Sequence, residues 1–89
     1  MSEYFTPQGD TVVVEDLYYK SDEDGSYALY RGVSRNGTLD YMPLWSICRI
    51  YCQPIGDTVK ETVTWAHGLK LPCNIWNERA QLPYRSEAN

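Results

Sequence analysis

The 89-residue chain predicts a mainly β fold, a small antiparallel bent sheet or SH3-like barrel of five or six short strands. Three observations carry that expectation. Short runs of alternating apolar and polar residues recur at spacings of about 8–12 residues. Gly, Pro, Asn and Asp punctuate them with turn chemistry. Within the runs Val, Ile, Thr and Tyr dominate, and their branched or flat side chains pack well on a pleated surface.

Residues 1–10 contain Pro7 and Gly9 without periodicity, which predicts a partly ordered lead-in. Thr11-Val12-Val13-Val14 opens the first strand. It continues to Tyr19, with Val13, Leu17 and Tyr19 on one face and Val12, Val14 and Tyr18 on the other. Glu15 and Asp16 interrupt both faces and predict a bulge or bend beside them. Ser21-Asp22-Glu23-Asp24-Gly25 then forms a hairpin tip, where Gly supplies a positive φ and Asp caps the turn backbone. The return strand, Ser26–Val33, sets Tyr27, Leu29, Arg31 and Val33 against Ser26, Ala28, Tyr30 and Gly32. Asn36-Gly37 reverses the chain, and Thr38–Met42 makes a third strand that Pro43 ends.

Leu44–Cys52 fits two descriptions. Leu44, Ile47, Cys48 and Tyr51 fall at helical spacing and Pro43 suits a first helical position, so a helical turn near Leu44–Tyr51 is one alternative. The shortness and β-branched content of the segment favour a tight turn at Pro43–Ser46 followed by a strand Ile47–Cys52. Gln53–Asp57 reads as a turn, and Val59–Ala66 as a half-buried strand with Val59, Glu61, Val63 and Trp65 on one face. Leu69 and Leu71 flank Lys70 in a further short strand that Pro72 stops. Asn74 is placed to cap one helical turn within Asn74–Gln81, leaving Ile75 and Trp76 to cover an open end of the sheet. Rising polarity after Ala80, together with Pro83, predicts a frayed tail over 80–89. Residues 1–89 are expected to form a single domain, since domains typically run to about 100–150 residues.

Eight Lys and Arg against twelve Asp and Glu give a net charge of −4. That field repels a phosphate polyanion, which disfavours direct nucleic-acid binding. The acidity is concentrated in residues 1–40, which hold eight of the acids and three of the bases. No apolar run is long enough for a membrane span, and the start lacks the basic and apolar regions of a signal peptide. Cys48, Cys52 and Cys73 are an odd number, which suits free thiols in a reducing compartment, and the expected location is cytoplasmic.

Cys48, Cys52, His67 and Cys73 are four soft donors, the number a tetrahedral zinc site needs. On a strand, however, Cys48 and Cys52 stand roughly 13 Å apart, too far to share one ion. A thiol enzyme using Cys73 or Cys52 with His67 as its base is the catalytic alternative. Buried core thiols and a strand-end histidine are the plainer reading, and no cofactor or metal is expected. The carboxylate pairs Glu15-Asp16 and Asp22-Glu23-Asp24 have equally plain roles as strand and turn residues.

Twelve aromatics, eight of them Tyr, exceed what so small a core can bury. Tyr is favoured in protein contacts because it joins a rigid apolar ring to a hydrogen-bonding tip. Tyr18, Tyr19, Tyr27 and Tyr30 flank Asp22, Glu23 and Asp24 on the first hairpin, which makes these seven residues the candidate protein-binding site. Cross-strand Tyr pairs stabilising the sheet are the competing reading. The expected partner is a basic protein surface, of which nucleic-acid-binding proteins are the commonest kind. In size and acidity the chain resembles small phage-borne inhibitors of host defence, anti-CRISPR proteins among them, and that resemblance implies a nucleic-acid-mimicking inhibitor. Single-strand nucleic-acid binding through stacked Tyr and Trp is a further alternative, and an open sheet edge is a dimerisation surface to test.

Overall fold

The computed structural model describes residues 2–5 and 10–87, with side chains from Asp10 onward. Six strands, β1 (Ser2–Phe5), β2 (Thr11–Lys20), β3 (Tyr27–Arg35), β4 (Ser46–Ile55), β5 (Thr58–Ala66) and β6 (Tyr84–Arg85), lie side by side in chain order. Every neighbouring pair is antiparallel. The mainly β architecture expected from alternation is therefore the one observed. Among the described residues no ladder joins β1 to β6, so the sheet is open. Among the described residues no helix is long and apolar enough to cross a membrane.

Alternation sorts side chains to two faces. On the first face Val12, Val14, Tyr30, Ile47 and Ala66 are buried together with Trp45 and Trp76, and Leu82 and Tyr84 pack against them. Trp76 opens a 3-10 helix, Trp76–Gln81, that lies over this face and supplies its largest fully buried side chain. Arg79, one turn on, secures the helix. Its guanidinium donates to Asp16 Oδ2 at 2.7 and 2.9 Å and to the Trp76 carbonyl at 3.1 Å, and stands 4.6 Å from the Trp76 ring centre. On the second face Cys48, Ile50 and Cys52 are buried between Leu29 and Trp65.

The bulge in β2 falls between Leu17 and Tyr19, two residues beyond the acidic pair that suggested one. It has a consequence for both tyrosines. Tyr18 stacks on Tyr30 with ring centres 4.2 Å apart, and Tyr19 approaches Tyr51 at 6.5 Å. Both rings thus lie toward the first face, where strict alternation had separated them.

Several expected elements are replaced, each for a stated reason. Ser2–Phe5, inside the expected lead-in, pairs with Val12–Glu15 as β1. Thr38–Met42 is no strand. Asn36-Gly37 does turn the chain, but Ser46–Cys52 forms a seven-pair ladder with β3, and a short segment ending at Pro43 cannot compete for that edge. Residues 38–45 instead cross the end of the sheet, pinned by the Trp45 indole donating to the Leu39 carbonyl at 3.0 Å.

The helical alternative at Leu44–Tyr51 is excluded by the same β4 ladder. β4 also runs through the expected turn at Gln53–Asp57, and the reversal is confined to Gly56 and Asp57. Leu69 and Leu71 form no strand, because Tyr84–Arg85 takes the end of β5. The helical turn in Asn74–Gln81 exists, but Asn74 does not cap it. Asn74 is buried and bridges Trp45, exchanging backbone hydrogen bonds of 2.9 and 3.0 Å. The expected tail is folded as far as β6, where the Tyr84 hydroxyl donates to the Arg79 carbonyl at 2.6 Å.

Candidate protein-binding site

In a meander every second turn falls at the same end of the sheet. The β2–β3 and β4–β5 tips are therefore neighbours, and a Cβ built on Gly25 would stand 3.4 Å from Pro54 Cγ. That end carries Asp22, Glu23, Asp24, Asp57 and Glu61 against Lys20 and Lys60. Asp57 and Glu61 were not among the expected site residues, since they stand more than thirty residues from the first tip. Chain order alone would have found them once the meander was recognised.

Asp24 shapes its own turn. Ser26 N–H donates to Asp24 Oδ1 at 2.9 Å, and this bond holds the carboxyl below the ordinary carboxylate range. Ser21 Oγ accepts from Glu23 N–H at 3.3 Å. Gly25 takes φ +78°, which an L side chain rarely adopts. Asp22 and Glu23 are exposed and make no side-chain hydrogen bond or ion pair among the described residues.

Beside this acidic end the second face is uncovered. Leu17, Tyr27, Val59 and Val63 are 57%, 38%, 61% and 42% exposed. Cross-strand register places Leu17 opposite Leu29, Leu29 opposite Ile50 and Ile50 opposite Val63, so one apolar row crosses four strands. Tyr27, Cys52 and Glu61 form the next row toward the tips. Arg31 and Glu15 neutralise each other farther along the face, through contacts of 2.7 and 2.8 Å. Beyond them Val33, Leu44, Trp65 and Pro72 line a cleft of about 640 Å³ that Arg35 and Lys70 flank.

The seven residues expected to act together are divided between faces. Tyr27 stands on the uncovered face beside Leu29. Tyr30 is buried on the other, stacked under Tyr18 and 5.6 Å from Tyr84. Arg49 lies 5.0 Å from the Tyr84 ring centre, which makes this tyrosine group part of the packed sheet. Burial pushes the Tyr84 hydroxyl well above its ordinary range and raises Tyr18 as well. Tyr18 and Tyr19 remain 43% and 46% exposed. Asp22, Glu23 and Asp24 stay at the tip, within reach of either face.

The thiols do not converge. Cys48 and Cys52 share the second face of β4 but pair with different rows, Trp65 and Glu61. Burial raises the Cys48 thiol above its ordinary value, which disfavours the thiolate that catalysis requires. Cys52 Sγ donates to Glu61 Oε2 at 3.9 Å, and Glu61 is six strand residues, about 20 Å, from His67. His67 sits at φ +57° in the turn after β5, and Cys73 is exposed. Among the described residues no group of three His, Cys, Asp or Glu side chains is placed to hold a metal ion.

No protein-family model, no curated protein and no solved structure matches this chain.

Proposed function

We propose that the protein is a non-enzymatic binding module that receives a basic protein surface on the acidic end of its uncovered sheet face. One observation carries this reading: the exposed side chains Leu17, Tyr27, Val59 and Val63 adjoin the carboxylates of Asp22, Glu23, Asp24, Asp57 and Glu61. The apolar row offers area to remove from water, which supplies affinity. The carboxylates steer a positively charged partner and fix its orientation, while repelling nucleic acid itself. A partner that uses its basic surface to hold DNA or RNA would lose that surface when bound here. The natural role of such a module is a small inhibitor or adaptor, and inhibition of a nucleic-acid-binding defence protein, as in anti-CRISPR action, is the specific form we favour.

Salt-graded capture from a lysate tests it. The native chain is compared with a variant carrying Asp22→Ser, Glu23→Ser, Asp24→Asn and Asp57→Ser, where Asn keeps an oxygen for the Ser26 N–H. A stoichiometric partner with a basic surface, released by salt and lost in the variant, is the expected result. Retention of the same proteins by both forms contradicts the proposal.

A further inference from the structure

We infer that the cleft at the sheet end opposite the acidic tips binds a small amphiphilic carboxylate, an apolar body of about ten carbon atoms bearing one anionic group. In a meander β2 and β4 begin, and β3 and β5 end, on the same side. Thr11, Val33, Ser46 and Trp65 therefore come together there as cleft residues. Two loops raise the walls: residues 38–45 bring Thr38 and Leu44, and the segment after β5 brings Lys70 and Pro72. Ser34 Oγ fastens the first wall, donating to the Leu44 carbonyl at 2.6 Å and lying 2.9 Å from Thr38 Oγ1. Ser46 Oγ fastens the second by donating to the Lys70 carbonyl at 2.7 Å.

Both lining serines thus spend their hydroxyl protons on the walls, which leaves Val33, Leu44, Trp65 and Pro72 to present carbon to a ligand. A cleft of about 640 Å³ held in place by hydrogen bonds is the size that small-molecule sites have, and binding there costs little reorganisation.

Charge selects the occupant. The chain carries −4 in all, yet among the described residues no Asp or Glu lines this cleft, whereas Arg35 and Lys70 both do. Arg35 is exposed and makes no ion pair among the described residues. Lys70 Nζ stands 5.4 Å from the Trp65 ring centre, which sets a cation directly beside the apolar surface. It also holds Glu87 Oε2 at 3.3 Å, so the chain's own carboxylate already rests where the ligand's would. The two side chains of that pair are 57% and 49% exposed, and an ion pair so open to water exchanges readily. A ligand carboxylate replaces Glu87 while its apolar body covers Trp65 and Leu44. The site shares a face with the proposed protein surface but lies at the other end of it, and neither needs the other.

Titration of the full chain with decanoate and with 2-naphthoate, followed by amide and indole N–H resonances in NMR, is the test. At least one is expected to saturate with Kd at or below about 1 mM, shifting Trp65, Val33 and Leu44 and sparing Leu17 and Val59. Tighter decanoate assigns an acyl ligand and tighter 2-naphthoate an aromatic one, and either supports the inference. Arg35→Gln with Lys70→Gln, both at exposed positions, is expected to weaken binding by about fivefold or more. Glu87→Gln frees Lys70 and is expected to tighten it by about twofold. Decylammonium, the same chain with the opposite charge, is expected to leave Trp65 unshifted. No saturable shift at Trp65 with either carboxylate overturns the inference. So do shifts centred on Leu17 and Val59, an unchanged affinity in the double variant, or an equal response of Trp65 to decylammonium.

Discussion

The Trp76 indole lies so close to Gly32 that a Cβ at that glycine would stand 2.6 Å from its Cε3 and 2.8 Å from its Cζ3. Trp45 approaches the same point at 3.2 Å, and the two indoles are 6.0 Å apart. A missing side chain on β3 thus makes the seat for the residue that seals one face. Among the described residues the opposite face has no comparable lid over Leu17, Tyr27, Val59 and Val63.

Gly32→Ala is expected to lower unfolding stability by about 1–3 kcal/mol, because the ring must move and a packed core tolerates added volume poorly. Urea denaturation measures the loss, and the near-ultraviolet signal of the tryptophans should change with it. Unaltered stability would show that the helix seats differently.

Cysteine accessibility gives a second check. Cys48 and Cys52 are buried, and desolvation keeps the Cys48 thiol protonated at neutral pH. Cys73 is exposed. A thiol reagent should modify Cys73 under native conditions, and all three cysteines only after unfolding. Rapid native labelling of Cys48 would contradict the packing of the second face.

The hairpin tip should respond to acid. The Ser26 N–H bond depresses the Asp24 carboxyl, so its contribution to stability is fully present above the unfolded-state value and is lost as pH falls through the folded one. Carboxyl carbon resonances followed by NMR should place the Asp24 midpoint below that of an ordinary Asp. Asp24→Asn should remove this acid dependence while preserving the turn. A midpoint at the ordinary value would argue that the bond does not persist in solution.

Much of the sheet was legible in the chain itself, because β2, β3 and β5 carry period-two alternation and β4 is rich in β-branched residues. The elements that escaped lack that signal. Tyr84–Arg85 is two residues long and owes its strand state to the free end of β5, a tertiary cause that no local pattern records. Asn74 has the side chain of a helix cap, yet it pairs with Trp45, thirty residues away in approximate terms, through contacts that propensity cannot anticipate.

The site was legible in part. Asp22, Glu23 and Asp24 stood out as a run, but the bulge after Leu17 brings Tyr19 to the face that Tyr18 already occupies. Alternation already set Tyr30 on the face opposite Tyr27, but not which face is covered, and Tyr30 lies on the one that Trp76 helps to bury. Asp57 and Glu61 join the acidic end only because the sheet is a meander.

The central claim is that the uncovered face binds a protein partner. The most direct measurement compares capture by the native chain, by Leu17→Ser with Val63→Ser, and by Tyr41→Ser, whose residue is 62% exposed in the β3–β4 connection away from the proposed surface. Circular dichroism first establishes that all three are folded. The account predicts one stoichiometric partner with a basic surface, retained by the native chain and by Tyr41→Ser and lost from the double variant. Equal retention by all three would contradict it.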